Sequence, residues 1–281
     1  MTPDLLAALL GLAAAFAWGC GDFAGGLASR RSTAFSVLRV SSLVGLGFLV
    51  CLALLRGSPM PLLHDALFAV AAGALGVVGL ITLYRALAGG QMSLVAPITA
   101  VVANIVAVAV SAFTEGVPTW QKWLGFMLAG IGVWLLSRPI GAVRLTREVL
   151  VLSLVAGIAF GGIFSFTAQL SSGDIGWSMV LLRLTTVVLV FSAIAWQKNP
   201  VPQLPKTLFP LVVVAGVCDS LGNLFFALAG QVGRLDVSAV SSSLYPAFTL
   251  FLAVLVLRER LLGWQLFGTV LCLVSIGLIV I

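Results

Sequence analysis

Apolar residues run along this chain in ten stretches of about 18 to 24, separated by short polar breaks. Each is long enough to cross a hydrocarbon core of about 30 Å, which takes about 20 residues of α-helix. The pattern predicts spans at Leu5–Ala28, Ala34–Leu55, Ala66–Ala88, Leu94–Phe113, Trp120–Ser137, Val149–Leu170, Gly176–Trp196, Leu208–Gly230, Val237–Leu257 and Leu261–Ile281. A basic connector, residues 138–148, divides them five and five. The expected fold is an all-α membrane protein, with residues 1–137 as a first five-helix repeat and 149–281 as a second.

The halves echo each other. Val37 to Val44 recurs in type as Leu181 to Val188, with Arg39 matching Arg183 at an offset of 144. Glu115 with Trp120-Gln121 returns as Glu259 with Trp264-Gln265, again at 144, and Ala86 to Gly89 returns as Ala227 to Gly230 at 141. Order and spacing together indicate tandem copies of one unit. An odd number of spans per unit makes the second copy inverted in the membrane. At this alignment Val101-Val102-Ala103-Asn104 in the fourth span stands against Tyr245-Pro246-Ala247-Phe248 in the ninth, so the halves differ at their centre.

Composition agrees: 61% of the 281 residues are hydrophobic and 9% charged, with a mean hydropathy of +1.19, outside the range of soluble domains. The net charge of +6 is spread over short loops, which argues against a nucleic-acid partner and for topology signals. Loops 1–2, 5–6, 7–8 and 9–10 hold nine basic residues and the opposite side holds three, Arg56, Lys122 and Arg234. By the positive-inside rule the first set faces the cytoplasm and both termini face the periplasm of a bacterial inner membrane.

Cys20, Cys51, Cys218 and Cys272 lie in apolar segments without ligand spacing, His64 is a loop residue, and no metal cluster, nucleophile motif or phosphate loop is present. No enzyme, cofactor or metal site is expected. The fifth and tenth spans are nearly all aliphatic and glycine, with Gly125 and Ala129 at small-xxx-small spacing, so they are the expected lipid-facing or homodimer-contact helices. Elsewhere polar and small residues form stripes: Gly11, Ala15, Trp18, Asp22, Gly25 and Ser29 in the first span, and Gly216, Asp219, Asn223 and Phe226 in the eighth. These stripes should face each other.

Ala17-Trp18-Gly19, the segment Leu83 to Gly89, Ser242 to Phe248, Leu257 to Leu261 and Trp264 to Gly268 resemble the drug/metabolite transporter superfamily, EamA type. The resemblance covers nearly the whole chain, and among bacterial members it is nearest to exporters of aromatic and other amino acids. It implies a secondary carrier whose first four spans of each half surround a central cavity, with the fifth and tenth peripheral.

A carrier needs ionisable groups in the membrane to have a partner or a task. Asp22 and Asp219 are the deep carboxylates. Each is a candidate for a substrate ammonium or a coupling proton, or for pairing with Arg39, Arg85 or Arg183. Inversion puts Arg39 and Arg183 near opposite faces, as carboxylate clamps or as gate salt bridges and snorkelling residues. Trp18, Tyr84, Phe160, Phe164 and Tyr245 are candidates to line an apolar substrate cavity. Asn104, Ser165, Gln169 and Asn223 are the candidates for directed hydrogen bonds. Such a site suits amino acids with aromatic or branched apolar side chains, exported by alternating access. Multidrug or organic-cation efflux is the nearest alternative, and a membrane-embedded or lipid-processing enzyme the alternative of another class. Pro97 and Pro246, inside spans, are candidate bending points.

Overall fold

A computed structural model describes residues 2–29, 31–88, 92–136, 146–171, 173, 175–196, 201–257 and 262–280. Most of the connector, residues 137–145, lies outside them, as do Glu259 and several basic loop residues, Arg30, Lys198, Arg258 and Arg260 among them. The described chain is helical: α1 Pro3–Ser29, α2 Ala34–Leu55, α3 Leu63–Ala88, α4 Met92–Thr114, α5 Trp120–Leu136, α6 Arg147–Ala168, α7 Gly176–Trp196, α8 Phe209–Val232, α9 Leu235–Ser242, α10 Tyr245–Leu257 and α11 Gly263–Val280. Eight spans meet the length and hydropathy of a membrane crossing, one of them running from Leu235 to Val256 through α9 and α10, and Ile98–Thr114 forms a shorter apolar stretch. Hydrophobic periodicity thus predicted the boundaries to within three residues, because lipid demands that every backbone group be satisfied inside its own helix.

Local signals explain several ends. Thr33 caps α2 by accepting from the Ser36 N–H at 3.2 Å, and Thr146, the first described residue of the connector, caps α6 by accepting from the Val149 N–H at 3.3 Å. The ninth span is broken where its counterpart α4 is continuous. Pro246 has no N–H to give the Ser242 carbonyl, and the Leu244 N–H turns back to Ser241 O at 3.4 Å. Pro97, by contrast, lies in the second turn of α4, which runs through it without a break.

Helix packing is two-fold. α1 packs on α8 as α6 packs on α3; α2 meets α8 as α7 meets α3; α6 rests on α4 as α1 rests on α9 and α10. α2 with α7, α4 with α9, and α5 with α11 meet across the axis. With five spans per half, that axis lies in the membrane plane, as in inverted-repeat carriers. The ten spans form two inverted five-helix repeats.

Glycines carry the equivalence to single residues. A Cβ on Gly19 would lie 2.6 Å from Phe248 Cβ and 3.0 Å from Tyr245 O; one on Gly161 would lie 2.5 Å from Val106 Cβ and 2.8 Å from Ala103 O. The equivalence therefore runs at 142, which pairs Ala103-Asn104-Ile105-Val106 with Tyr245-Pro246-Ala247-Phe248. That is two residues off the sequence alignment, because a gap falls in a loop and helices tolerate no gap. α5 and α11 are joined in the same way, with Gly125 against Ile279 and Gly132 against Cys272. The Gly125 and Ala129 seam is thereby filled within the chain.

Candidate functional site

Arg183 and Asp219 form the charged centre. Arg183 Nη2 lies 2.5 Å from Asp219 Oδ2, and donates to Ser220 Oγ at 3.1 Å and Gly216 O at 3.3 Å. Arg183 stands seven residues into α7 and Asp219 ten into α8, from opposite faces, so at 1.5 Å per residue the pair sits roughly 10 Å and 15 Å from the two helix ends. Gly45 on α2 makes the berth, since a Cβ there would lie 2.7 Å from Arg183 Nε. The arginine side chain is 9% exposed and the aspartate 45%. The pair therefore presents its carboxylate edge to open space and keeps its guanidinium covered.

Asp22 is different. It is exposed, makes no ion pair or hydrogen bond among the described residues, and lies within electrostatic range of Asp219 and the Tyr245 hydroxyl. One turn away Trp18 stacks on Phe164 and Phe226 with centroids 5.9 and 6.0 Å apart, and the two phenylalanines meet at 4.6 Å. Gly222 leaves room for the indole, because a Cβ there would collide with it. An unpaired carboxylate beside aromatic faces can hold an ammonium group by charge and by cation–π attraction.

The other candidates divide. Asn104 keeps a buried Oδ1 without a hydrogen-bond partner, while Asn223 Nδ2 donates to Asp219 O at 2.7 Å. Ser165 Oγ bonds back to Gly161 O at 2.8 Å, Phe160 fills the space over Gly79, and Gln169 is exposed at the C-terminal cap of α6. Tyr84 and Arg85 have side chains outside the description. Arg39, five residues into α2 and six before the Gly45 that berths Arg183, lines a cleft with Lys206. Two buried residues outside the candidate cavity set support these groups: Phe226, already on the eighth-span stripe, packs on Trp18 and Phe164, and Ser220, which shares a helix face with Asn223, accepts from Arg183.

A second polar network ties one end of the bundle. Glu115, at the end of α4, accepts the Leu235 N–H on both oxygens at 3.1 and 2.9 Å, and Ser111 Oγ at 2.8 Å. The α9 N-terminus thus receives a carboxylate, where the helix dipole favours one. Arg234 grips Asp236, with Nη2 to Oδ2 at 2.8 Å, and donates to Gly116 O at 2.7 Å and Glu115 O at 3.0 Å. Gly116 adopts φ 91°, a left-handed conformation open to glycine, which turns that carbonyl toward Arg234. At the same end Lys122 pairs with Asp4, Asp65 accepts from Ser171 N and Oγ at 2.9 Å, and Gln231 donates to Ser171 O. α1 is thus tied to α5, α4 to α9, and α3 and α8 to the segment that follows α6. Sequence reasoning treated these charges as loop residues because each belongs to a different segment.

A family model described as the EamA-like transporter family matches residues 5–138 and again 148–281. A solved structure described only as the crystal structure of a protein matches with a TM-score of 0.82 at 16% identity, over 97% of this chain and 97% of the other. At that identity the likeness is one of fold. No curated protein matches the sequence.

Proposed function

The chain belongs to the EamA-like transporter family, a multi-pass membrane transporter of small molecules and not an enzyme, and from that premise we propose that it exports ammonium-bearing organic solutes. Amino acids with aromatic or branched apolar side chains come first among them. The observation that carries this reading is Asp22, a carboxylate on α1 that is exposed and unpaired among the described residues, one turn from Trp18, which stacks on Phe164 and Phe226. The ammonium would sit on Asp22 and the apolar group on the partly exposed Trp18 and Phe164 rings, with the buried Phe226 behind them. Tyr245 and the uncommitted Asn104 oxygen supply polar contacts.

The two-fold arrangement supports alternating access, in which one bundle rocks against its inverted copy, and the Glu115–Arg234–Asp236 clasp is a contact that must part at one end. Charge distribution supports placing that end, with both termini, in the periplasm of a bacterial inner membrane. Homodimerisation through the fifth and tenth spans would use the outer faces of α5 and α11, where Trp123, Met127, Leu266 and Leu273 are exposed. No cofactor enters the cycle; proton entry through Asp22 or the solute gradient would drive it.

Organic-cation efflux is the second reading, favoured by one feature: Arg183 is already neutralised by Asp219, which leaves the substrate's own carboxylate without a committed cation. Counterflow in reconstituted liposomes separates the two. Saturable exchange of labelled phenylalanine or leucine supports the amino-acid reading, and exchange confined to quaternary ammonium compounds replaces it with cation efflux. A protein inert to both classes would sink the ammonium site.

A further inference from the structure

Arg39 and Arg183 match in the sequence repeat, yet among the described residues only Arg183 is neutralised. The glycine pairs Gly73 with Gly216 and Gly79 with Gly222 set α3 against α8 at 143 residues, so the position of Asp219 is held in the first half by Gly76 and that of Ser220 by Val77. Among the described residues Arg39 consequently has no carboxylate opposite it, and its guanidinium makes no ion pair or hydrogen bond; only its backbone carbonyl is engaged, by Ser42 Oγ at 3.2 Å. It lines a cleft of about 580 Å³ where the start of α2 meets the approach to α8, together with Lys206, Gln203, Val40, Leu204 and Phe209.

The chemistry of that lining is specific. Among the described residues, two cations and one amide stand on a wall with Val40, Leu204 and Phe209, and no acidic residue contributes. Arg39 is five residues from the α2 N-terminus, roughly 8 Å down the axis of an apolar span. An uncompensated guanidinium at that depth calls for an anion, and the apolar lining calls for a hydrocarbon chain beside it.

We infer that this cleft is a binding site for the phosphate headgroup of an anionic phospholipid, held by Arg39 and Lys206 with Gln203, the acyl region lying along Val40, Leu204 and Phe209. The lipid completes in the first half the charge pairing that Asp219 provides in the second. The inference needs neither the ammonium substrate nor the direction of transport.

The test uses the whole purified protein in a neutral detergent, titrated with phosphatidylglycerol or phosphatidylcholine of the same chains, reading retained lipid by native mass spectrometry and thermal unfolding in parallel. Phosphatidylglycerol should bind and raise the unfolding temperature, with phosphatidylcholine doing neither. Arg39→Gln and Lys206→Gln should each weaken phosphatidylglycerol retention about fivefold, as expected for one basic residue at a membrane surface. Lys206 is exposed, so its variant reads the site even where Arg39→Gln fails to fold. Equal binding of the two lipids, or undiminished phosphatidylglycerol binding by Lys206→Gln, overturns the assignment. Inorganic phosphate or glycerol phosphate giving the same protection as the lipid also overturns it, in favour of a soluble anion.

Discussion

Gly19 and Gly161 stand 142 residues apart and make one contact twice, each pressing a bare backbone against the middle of the opposite repeat's partner span. Alanine at either position must displace a Cβ and a main-chain carbonyl, so overpacking of about 1–3 kcal/mol outweighs the better helix propensity. Gly19→Ala and Gly161→Ala should both lower the unfolding temperature in detergent. Gly130→Ala, whose Cβ meets nothing within 4 Å, should not. Loss in only one of the two glycine variants would contradict the equivalence.

The Arg183–Asp219 pair is covered on one side only, which makes its two halves unequal. Asp219→Asn leaves a buried guanidinium uncompensated, whereas Arg183→Gln leaves a carboxylate that is still 45% exposed. The aspartate variant should be the less stable, by an amount below the about 3–5 kcal/mol of breaking a fully buried pair. Thermal unfolding of both singles and of an Arg183→Met, Asp219→Leu double decides this. A double no more stable than Asp219→Asn would show that the charge is not what the pairing compensates.

Asp22 is exposed and unpaired, so its neutralisation should spare the fold and remove function. Asp22→Asn is expected to keep the wild-type unfolding temperature and to lose at least about tenfold in counterflow of ammonium-bearing solutes, the worth of a hydrogen bond to a charged group. Wild-type flux in that variant would take Asp22 out of the site.

The clasp at the α9 N-terminus should control access from its end. In a protein with its four cysteines replaced by alanine, Ser238→Cys places a thiol one turn beyond Arg234 in a fully buried position. A membrane-impermeant thiol reagent should react slowly with it. Glu115→Gln removes a charged acceptor of the Leu235 N–H and should speed that reaction about tenfold or more. Unchanged protection, measured from both sides of oriented vesicles, would leave Glu115 as a helix cap and nothing else.

Much of this was legible in the chain. Span positions follow from hydropathy because lipid admits few other structures, and the repeat showed through Arg39 and Arg183, Glu115 and Glu259. The partner of Arg183 was one of several carboxylate and arginine combinations that the residues alone left open. The gap between α9 and α10 was not visible, although Pro246 was: Pro97 sits in a helix that continues, so a proline alone does not decide between bending and breaking. The register of the fourth and ninth spans was misjudged by two because loop lengths differ between repeats while helix contacts do not slip. Glu115, Arg234 and Asp236 meet only in three dimensions.

The segmented ninth span has a consequence for the proposed cycle. Two identical halves would give inward- and outward-facing forms of equal free energy, each the image of the other. Here one half carries a joint between Ser242 and Tyr245 and the other carries a continuous rod through the matching residues. Degeneracy is therefore lost, and the empty protein has a preferred parking position. That bias sets which side the vacant site awaits its cargo on and how quickly it returns after release; the gradients alone decide which way the cargo goes.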